Sequence, residues 1–211
     1  MDDFHLSLAR IGLDAAERYG FVLAGGYAVQ AAGFLQRPSE DVDLFTIWER
    51  RGEFESAVNA MIGAYRAAGL QVEAERRHDT FVRLTVSDGV RQAKVELGVE
   101  LRRNEPVRIA IGPVLHPDDA VTNKMGALYD RALARDFIDI DAVLRSGRYD
   151  RGTLLRLAEK ADITFDRGRF ADALGQLPSL DDDDFAPYGV TGQALVELRQ
   201  RFAQWRAELT A

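Results

Sequence analysis

Residues 41–47 read Asp-Val-Asp-Leu-Phe-Thr-Ile, an apolar run of strand length that carries two carboxylates two positions apart. Side chains at i and i+2 of a strand share a face, so Asp41 and Asp43 point the same way. The preceding residues complement this pair. A short apolar run, Phe21 to Ala24, meets Gly25-Gly26, and a small, apolar segment of helix length, Tyr27 to Leu35, follows. Glycines let a chain turn tightly and expose backbone N–H groups. The first N–H groups of a helix lack internal partners and attract phosphate. A strand, a glycine turn and an acidic strand together form a candidate phosphate-and-metal site.

The chain around this stretch reads as alternating elements. Leu6, Ile11, Leu13, Ala16 and Tyr19 mark an amphipathic helix ending at Gly20. Pro38 predicts an extended entry into the strand Val42 to Ile47. Phe54, Val58, Met61, Ile62 and Tyr65 form the apolar stripe of a helix over 53–68, with Gly69 at its end. Runs of period two follow over 71–75, 80–86 and 92–99, with Ser87-Asp88-Gly89 as a hairpin signal between the last two. A fifth such run covers 107–111.

From Pro117 the period becomes helical and no further strand is expected. Lys124, Leu128, Arg131 and Arg135 recur at helical spacing, so on one continuous helix the three cations share a face. A second helix is expected from about Arg135 to Leu144, then others over 153–160, 169–177 and 193–209. Asp181 to Asp184, between Pro178 and Pro187, reads as a short acidic, solvated linker. The change of period predicts an α/β domain over 1–113 and a helical domain over 114–211 that completes the active site.

Composition limits the chemistry. The 211 residues contain no cysteine, so there is neither a disulfide framework nor a thiolate zinc site, and any metal is expected to be held by oxygen. A formal charge of −7 argues against indiscriminate nucleic-acid binding. Local cations at Arg50-Arg51, Arg76-Arg77, Arg102-Arg103 and along 131–156 could still form a positive face, or simply solvated surface. No apolar run reaches the ~18 residues of a membrane helix, and Met1-Asp2-Asp3 lacks the basic start of a secretory signal, so a cytoplasmic protein is expected.

A third carboxylate is found in the run from Gln92. There Ala93, Val95, Leu97 and Val99 fall on one face, and Lys94, Glu96, Gly98 and Glu100 on the other. Glu96 is the candidate to join Asp41 and Asp43; the plain alternative is a solvent-facing glutamate. Three carboxylates on neighbouring strands beside a glycine turn are what two-metal nucleotidyl transfer requires. Mg²⁺ takes oxygen ligands and keeps several waters, so two or three acids plus substrate phosphates suffice. One ion lowers the pKa of the attacking hydroxyl and the other steadies the leaving pyrophosphate. In this arrangement Gly25-Gly26 cradles phosphates, and Lys124, with Arg131, offsets their charge.

Three separated blocks, LAGGYA, RPSEDVDLF and KMGALYDRALARDFIDI, together resemble the AbiEii/AbiGii family of nucleotidyltransferase toxins, relatives of the mycobacterial MenT toxins. The resemblance covers roughly residues 20–145, with fourteen residues between Gly26 and Asp41. It implies a minimal polymerase-β-like nucleotidyltransferase fold with a helical carboxyl-terminal half. It implies a toxin of a toxin–antitoxin or abortive-infection system, using an NTP and two Mg²⁺ ions, with a tRNA 3′ end as acceptor and a cognate antitoxin protein as partner.

Carried over by residue, Gly25 and Gly26 match the glycine motif, Asp41 and Asp43 the metal pair, and Lys124 the lysine of the later block. Arg131, Arg135, Asp136 and Asp139 match the rest of that block, and Arg37 and Ser39 also match family positions. The third acid is commonly Asp in this fold; here Glu96 matches best, with Glu100 as the fallback. Asp136 and Asp139 have a structural alternative, pairing with Arg131 or Arg135 to hold helices together. Other readings are transfer to a protein or a small molecule, and a non-catalytic binding module of this fold.

Overall fold

The computed structural model describes residues 1–35, 37 and 39–211. The extended entry expected at Pro38 lies outside the described residues. Contacts divide the chain into two compact units, Met1–Ala31 with Pro38–Asp119, and Ala32–Arg37 with Ala120–Ala211.

The first unit is a seven-stranded mixed sheet with helices. Helix α1 (Asp3–Ala15) begins where the Asp2 carboxylate accepts the Phe4 and His5 N–H groups at 3.0 and 2.9 Å, satisfying donors that the first turn leaves open. Strand β1 (Val22–Leu23), helix α2 (Gly25–Ala31), strand β2 (Asp41–Ile47) and helix α3 (Phe54–Ala67) follow. Helix α2 is shorter than the expected segment to Leu35, and Gly33 behind it has φ 81°. Strands β3 (Gln71–His78), β4 (Phe81–Ser87) and β5 (Gln92–Glu100) form a meander, and β6 (Val107–Ile109) and β7 (Gly112–Val114) a small hairpin.

The strand order is β3-β4-β5-β2-β1-β7-β6, with β5 parallel to β2 and β1 parallel to β7. Strand β7 was not legible in the sequence: three residues containing a glycine and a proline carry no period. Its pairing with β1, extended by Leu115 N–H donating to the Leu23 carbonyl at 2.9 Å, is made entirely by backbone.

Burial follows the strand period. Val42 and Leu44 of β2, Val95 and Leu97 of β5, and Val82 and Leu84 of β4 are essentially inaccessible, and register places them side by side. Helices α1 and α3 pack together, with the buried Tyr65 hydroxyl donating to the Leu8 carbonyl at 3.0 Å. Gly12 lets α1 approach closely, since a Cβ there would lie 2.4 Å from Leu44 Cδ1. The other face of the sheet carries Asp41, Asp43, Glu96 and Arg83. Gly98, expected on that wet face, is buried under the Phe45 ring.

The second unit is helical: α4 (Pro117–Arg131, most of which lies in it), α5 (Ala134–Arg145), α6 (Arg151–Ala161), α7 (Arg167–Leu174) and α8 (Gly192–Thr210). Phe137, Phe170, Phe202 and Trp205 form its aromatic core, with Phe170 and Trp205 ring centroids 5.2 Å apart and Phe137 and Phe202 5.1 Å apart. The acidic run at 181–184 is solvent-exposed, as expected, and forms a short 3-10 turn. Asp184 accepts the Asp181 N–H at 3.0 Å, and Arg199 of α8 donates to Asp182 at 2.8 Å and to the Leu180 carbonyl at 2.9 Å.

Candidate active site

Register assembles the carboxylates. In the parallel pair, Asp43 of β2 stands beside Glu96 of β5, and Asp41 lies two residues before Asp43 on the same face. One oxygen from each of Asp41, Asp43 and Glu96 lies within 4.8 Å of the other two. Two full charges at that separation repel by about 3 kcal/mol at an effective dielectric near 20. Such a cluster needs cations. Its donors are all hard oxygens, the set that suits Mg²⁺ and, with no cysteine in the chain, no soft metal.

The glycine turn is shaped by this cluster. Gly25 has φ 56°, in the left-handed region, and a Cβ there would lie 1.7 Å from Asp43 Oδ2. A Cβ at Gly26 would lie 2.6 Å from Ser39 Oγ, so the buried Ser39 packs against the second glycine. The Ala24 N–H donates to the Asp43 carbonyl at 2.9 Å, which ties the turn to the acidic strand.

One cation near the carboxylates was missed in the sequence. Arg83 of β4 pairs in register with Glu96 and donates to its Oε1 from Nε at 2.8 Å and Nη2 at 2.5 Å. The hairpin signal at 87–89 could have revealed it, because a fixed turn sets which residues face each other. Glu100, the fallback acid, is held elsewhere: Arg102 donates to it from Nη2 at 3.0 Å and also to the Phe45 carbonyl at 3.1 Å.

The second unit gathers the remaining candidates into two groups. Asp139, fully buried, accepts two hydrogen bonds from Arg37, at 2.7 and 2.8 Å, and lies 2.8 Å from Lys124 Nζ. Burial by itself pushes the Asp139 carboxyl up, but Lys124 and Arg37 outweigh it and hold the group below the usual carboxylate range. The sum of these three charges is +1. Asp136, also fully buried, accepts from Arg131 Nε and Nη2 at 2.9 and 2.8 Å and from the Leu133 N–H at 3.1 Å.

Lys124, Arg131 and Arg135 do not lie on one continuous helix, because the second helix expected from about Arg135 is present. Helix α4 ends at Arg131, Ala132 takes φ 47°, and Arg135, half-buried, belongs to α5, whose first turn Asp136 caps.

A family model described as nucleotidyl transferase AbiEii toxin, type IV toxin–antitoxin system, matches residues 7–210. The chain belongs to the AbiEii nucleotidyltransferase toxin family. No curated protein matches it. Solved structures share its fold. A protein described as a nucleotidyltransferase from H. pylori is 18% identical, with a TM-score of 0.60 over 100% of this chain and 98% of that one. JHP933 from Helicobacter pylori is 17% identical, with a TM-score of 0.58 over 100% and 95%. MenT4, a nucleotidyltransferase toxin from Mycobacterium tuberculosis H37Rv, is 17% identical, with a TM-score of 0.56 over 98% and 84%. The AbiEii chain is thus a nucleotidyltransferase of mixed α/β fold with a helical carboxyl-terminal half, and the resemblance read from its three sequence blocks holds. Among the described residues no helix is long and apolar enough to cross a membrane.

Proposed function

We propose that this AbiEii-family toxin transfers a nucleoside monophosphate from an NTP to the 3′ end of a tRNA, in the cytoplasm, under the control of a cognate antitoxin protein. The observation that carries the chemistry is the convergence of Asp41, Asp43 and Glu96 within 4.8 Å beside a side-chain-free turn. Two Mg²⁺ ions held by these acids would lower the pKa of the acceptor hydroxyl and offset charge on the pyrophosphate as it leaves. Asp41, Asp43 and Glu96 would hold these ions through their carboxylate oxygens. Gly25 and Gly26 leave backbone open for phosphate oxygens, with Ser39 fixing the shape of the turn. The acceptor hydroxyl attacks the α-phosphorus, and the bond to pyrophosphate breaks.

Lys124 and Arg37, anchored by Asp139, supply in this reading the fixed positive charge for the triphosphate. Arg131 and Arg135 extend that role, with Asp136 fixing Arg131. Residues held by a buried partner are preorganised, so their charge acts without further ordering. The acceptor rests on the family resemblance alone.

The test is incubation with each labelled NTP, Mg²⁺ and total RNA, followed by separation of RNA from protein. Label at tRNA 3′ ends that disappears in Asp41→Ala supports the reading. Label confined to protein or to a small molecule would redirect the acceptor, and growth inhibition undiminished in Asp41→Ala would remove transfer as the basis of toxicity.

A further inference from the structure

We propose that Arg83 is the resting counter-ion of the acid triad and keeps the nucleotide-free site weak for divalent metal, so that the metal enters with the triphosphate. This deepens the transfer reading and rests on it. Register lays a single row across four strands of one sheet face: Asp43 on β2, Glu96 on β5, Arg83 on β4 and Arg76 on β3. Residues paired across strands share a face, and the ladder from Phe81 opposite Gly98 to Ser87 opposite Gln92 prevents Arg83 from turning to the other side. Both Arg83 nitrogens that bond Glu96 use the same oxygen, Oε1. The side chains are 25% and 15% exposed, so the pair is only partly screened by water.

Three carboxylates this close need a compensating cation, and among the described residues Arg83 meets one of them directly. A guanidinium stays charged at any physiological pH, so it leaves the site by exchange of partners and not by losing a proton. While it bonds Glu96 it blocks one ligand oxygen and repels an incoming divalent ion. A triphosphate changes this balance, because its negative charges offset the repulsion and offer the guanidinium other acceptors. Glu75, across the hairpin and bonded by the Thr85 hydroxyl, is a further acidic neighbour of Arg83, and Arg76 lies directly opposite it on the edge strand. Two arginines opposed on a strand pair repel each other, which favours anions on this face.

The experiment is Mn²⁺ binding to the full chain by electron paramagnetic resonance and calorimetry, with and without saturating non-hydrolysable α,β-imido nucleoside triphosphates. For the wild-type chain, Mn²⁺ is expected to bind about tenfold or more tightly with the analogue than without it. Arg83→Met is expected to raise affinity in the absence of nucleotide by about tenfold, with Arg83→Lys in between, and the variants should converge once the analogue is bound. A folded Arg83→Met that binds Mn²⁺ no more tightly than wild type overturns the proposal. So does a wild-type chain with equal affinity with and without nucleotide, a result that needs no variant to fold. If labelled transfer succeeds in the wild-type chain while either result is found, only the role of Arg83 falls. If neither Mn²⁺ nor transfer is detected under any condition, the metal-dependent reading falls with it.

Discussion

Gly25 and Asp43 are so close that a Cβ on the glycine would lie 1.7 Å from Asp43 Oδ2. The left-handed φ of 56° adds a second reason for glycine there. Gly25→Ala is expected to lower stability by about 2–4 kcal/mol and to displace Asp43, reducing transfer at least about 100-fold. Urea unfolding and labelled transfer measure the two effects. Wild-type transfer by a folded Gly25→Ala protein would contradict this close approach.

Asp41→Asn removes one charge from a repelling cluster. Transfer should fall by roughly 10³-fold. Stability should stay level or rise by up to about 1 kcal/mol, the usual sign of a site that trades stability for function. A large loss of melting temperature would show that Asp41 supports the sheet instead.

Asp139 predicts a pH effect with a definite sign. Its carboxyl is held below the ordinary aspartate value of 3.8, so the folded state binds this proton less readily than the unfolded chain. The stability it contributes is fully present above that value and is lost as pH falls through the lower folded pKa. Asp139→Asn leaves Arg37 and Lys124 without their shared carboxylate and should cost about 3–5 kcal/mol near neutrality, a deficit that narrows in acid. Melting curves of both proteins from pH 7 down to about pH 3 would show it. A constant difference across that range would count against the assignment.

Chelation separates chemistry from folding. Excess EDTA should abolish transfer, and Mg²⁺ should restore it. The melting temperature without nucleotide should move by less than about 2 °C, because the first unit has its own apolar core and resting metal affinity is weak. Unfolding on chelation would reveal a structural ion.

Tyr65→Phe tests the packing of α1 on α3. Losing the 3.0 Å bond to the Leu8 carbonyl should lower stability by about 1 kcal/mol with transfer unchanged. A tenfold loss of transfer would show that this contact reaches the site.

The sequence by itself determined the local elements whose cause is local. Period two over 41–47 and 92–99 placed the acids on one face of each strand, the glycine pair marked the turn, and helical spacing marked the second half. Three ordered blocks sufficed for the family. Tertiary structure decided everything that depends on which strands become neighbours. Only the parallel pairing of β2 with β5 sets Asp43 beside Glu96, and only the hairpin register brings Arg83 onto Glu96. Likewise Asp139 found its partners 102 residues away in Arg37 and nearer in Lys124, while local spacing offered Arg131 and Arg135. The reason is physical. Backbone period is a property of a few consecutive residues, whereas strand order and buried ion pairs are chosen by the burial of the whole core, which no short stretch encodes.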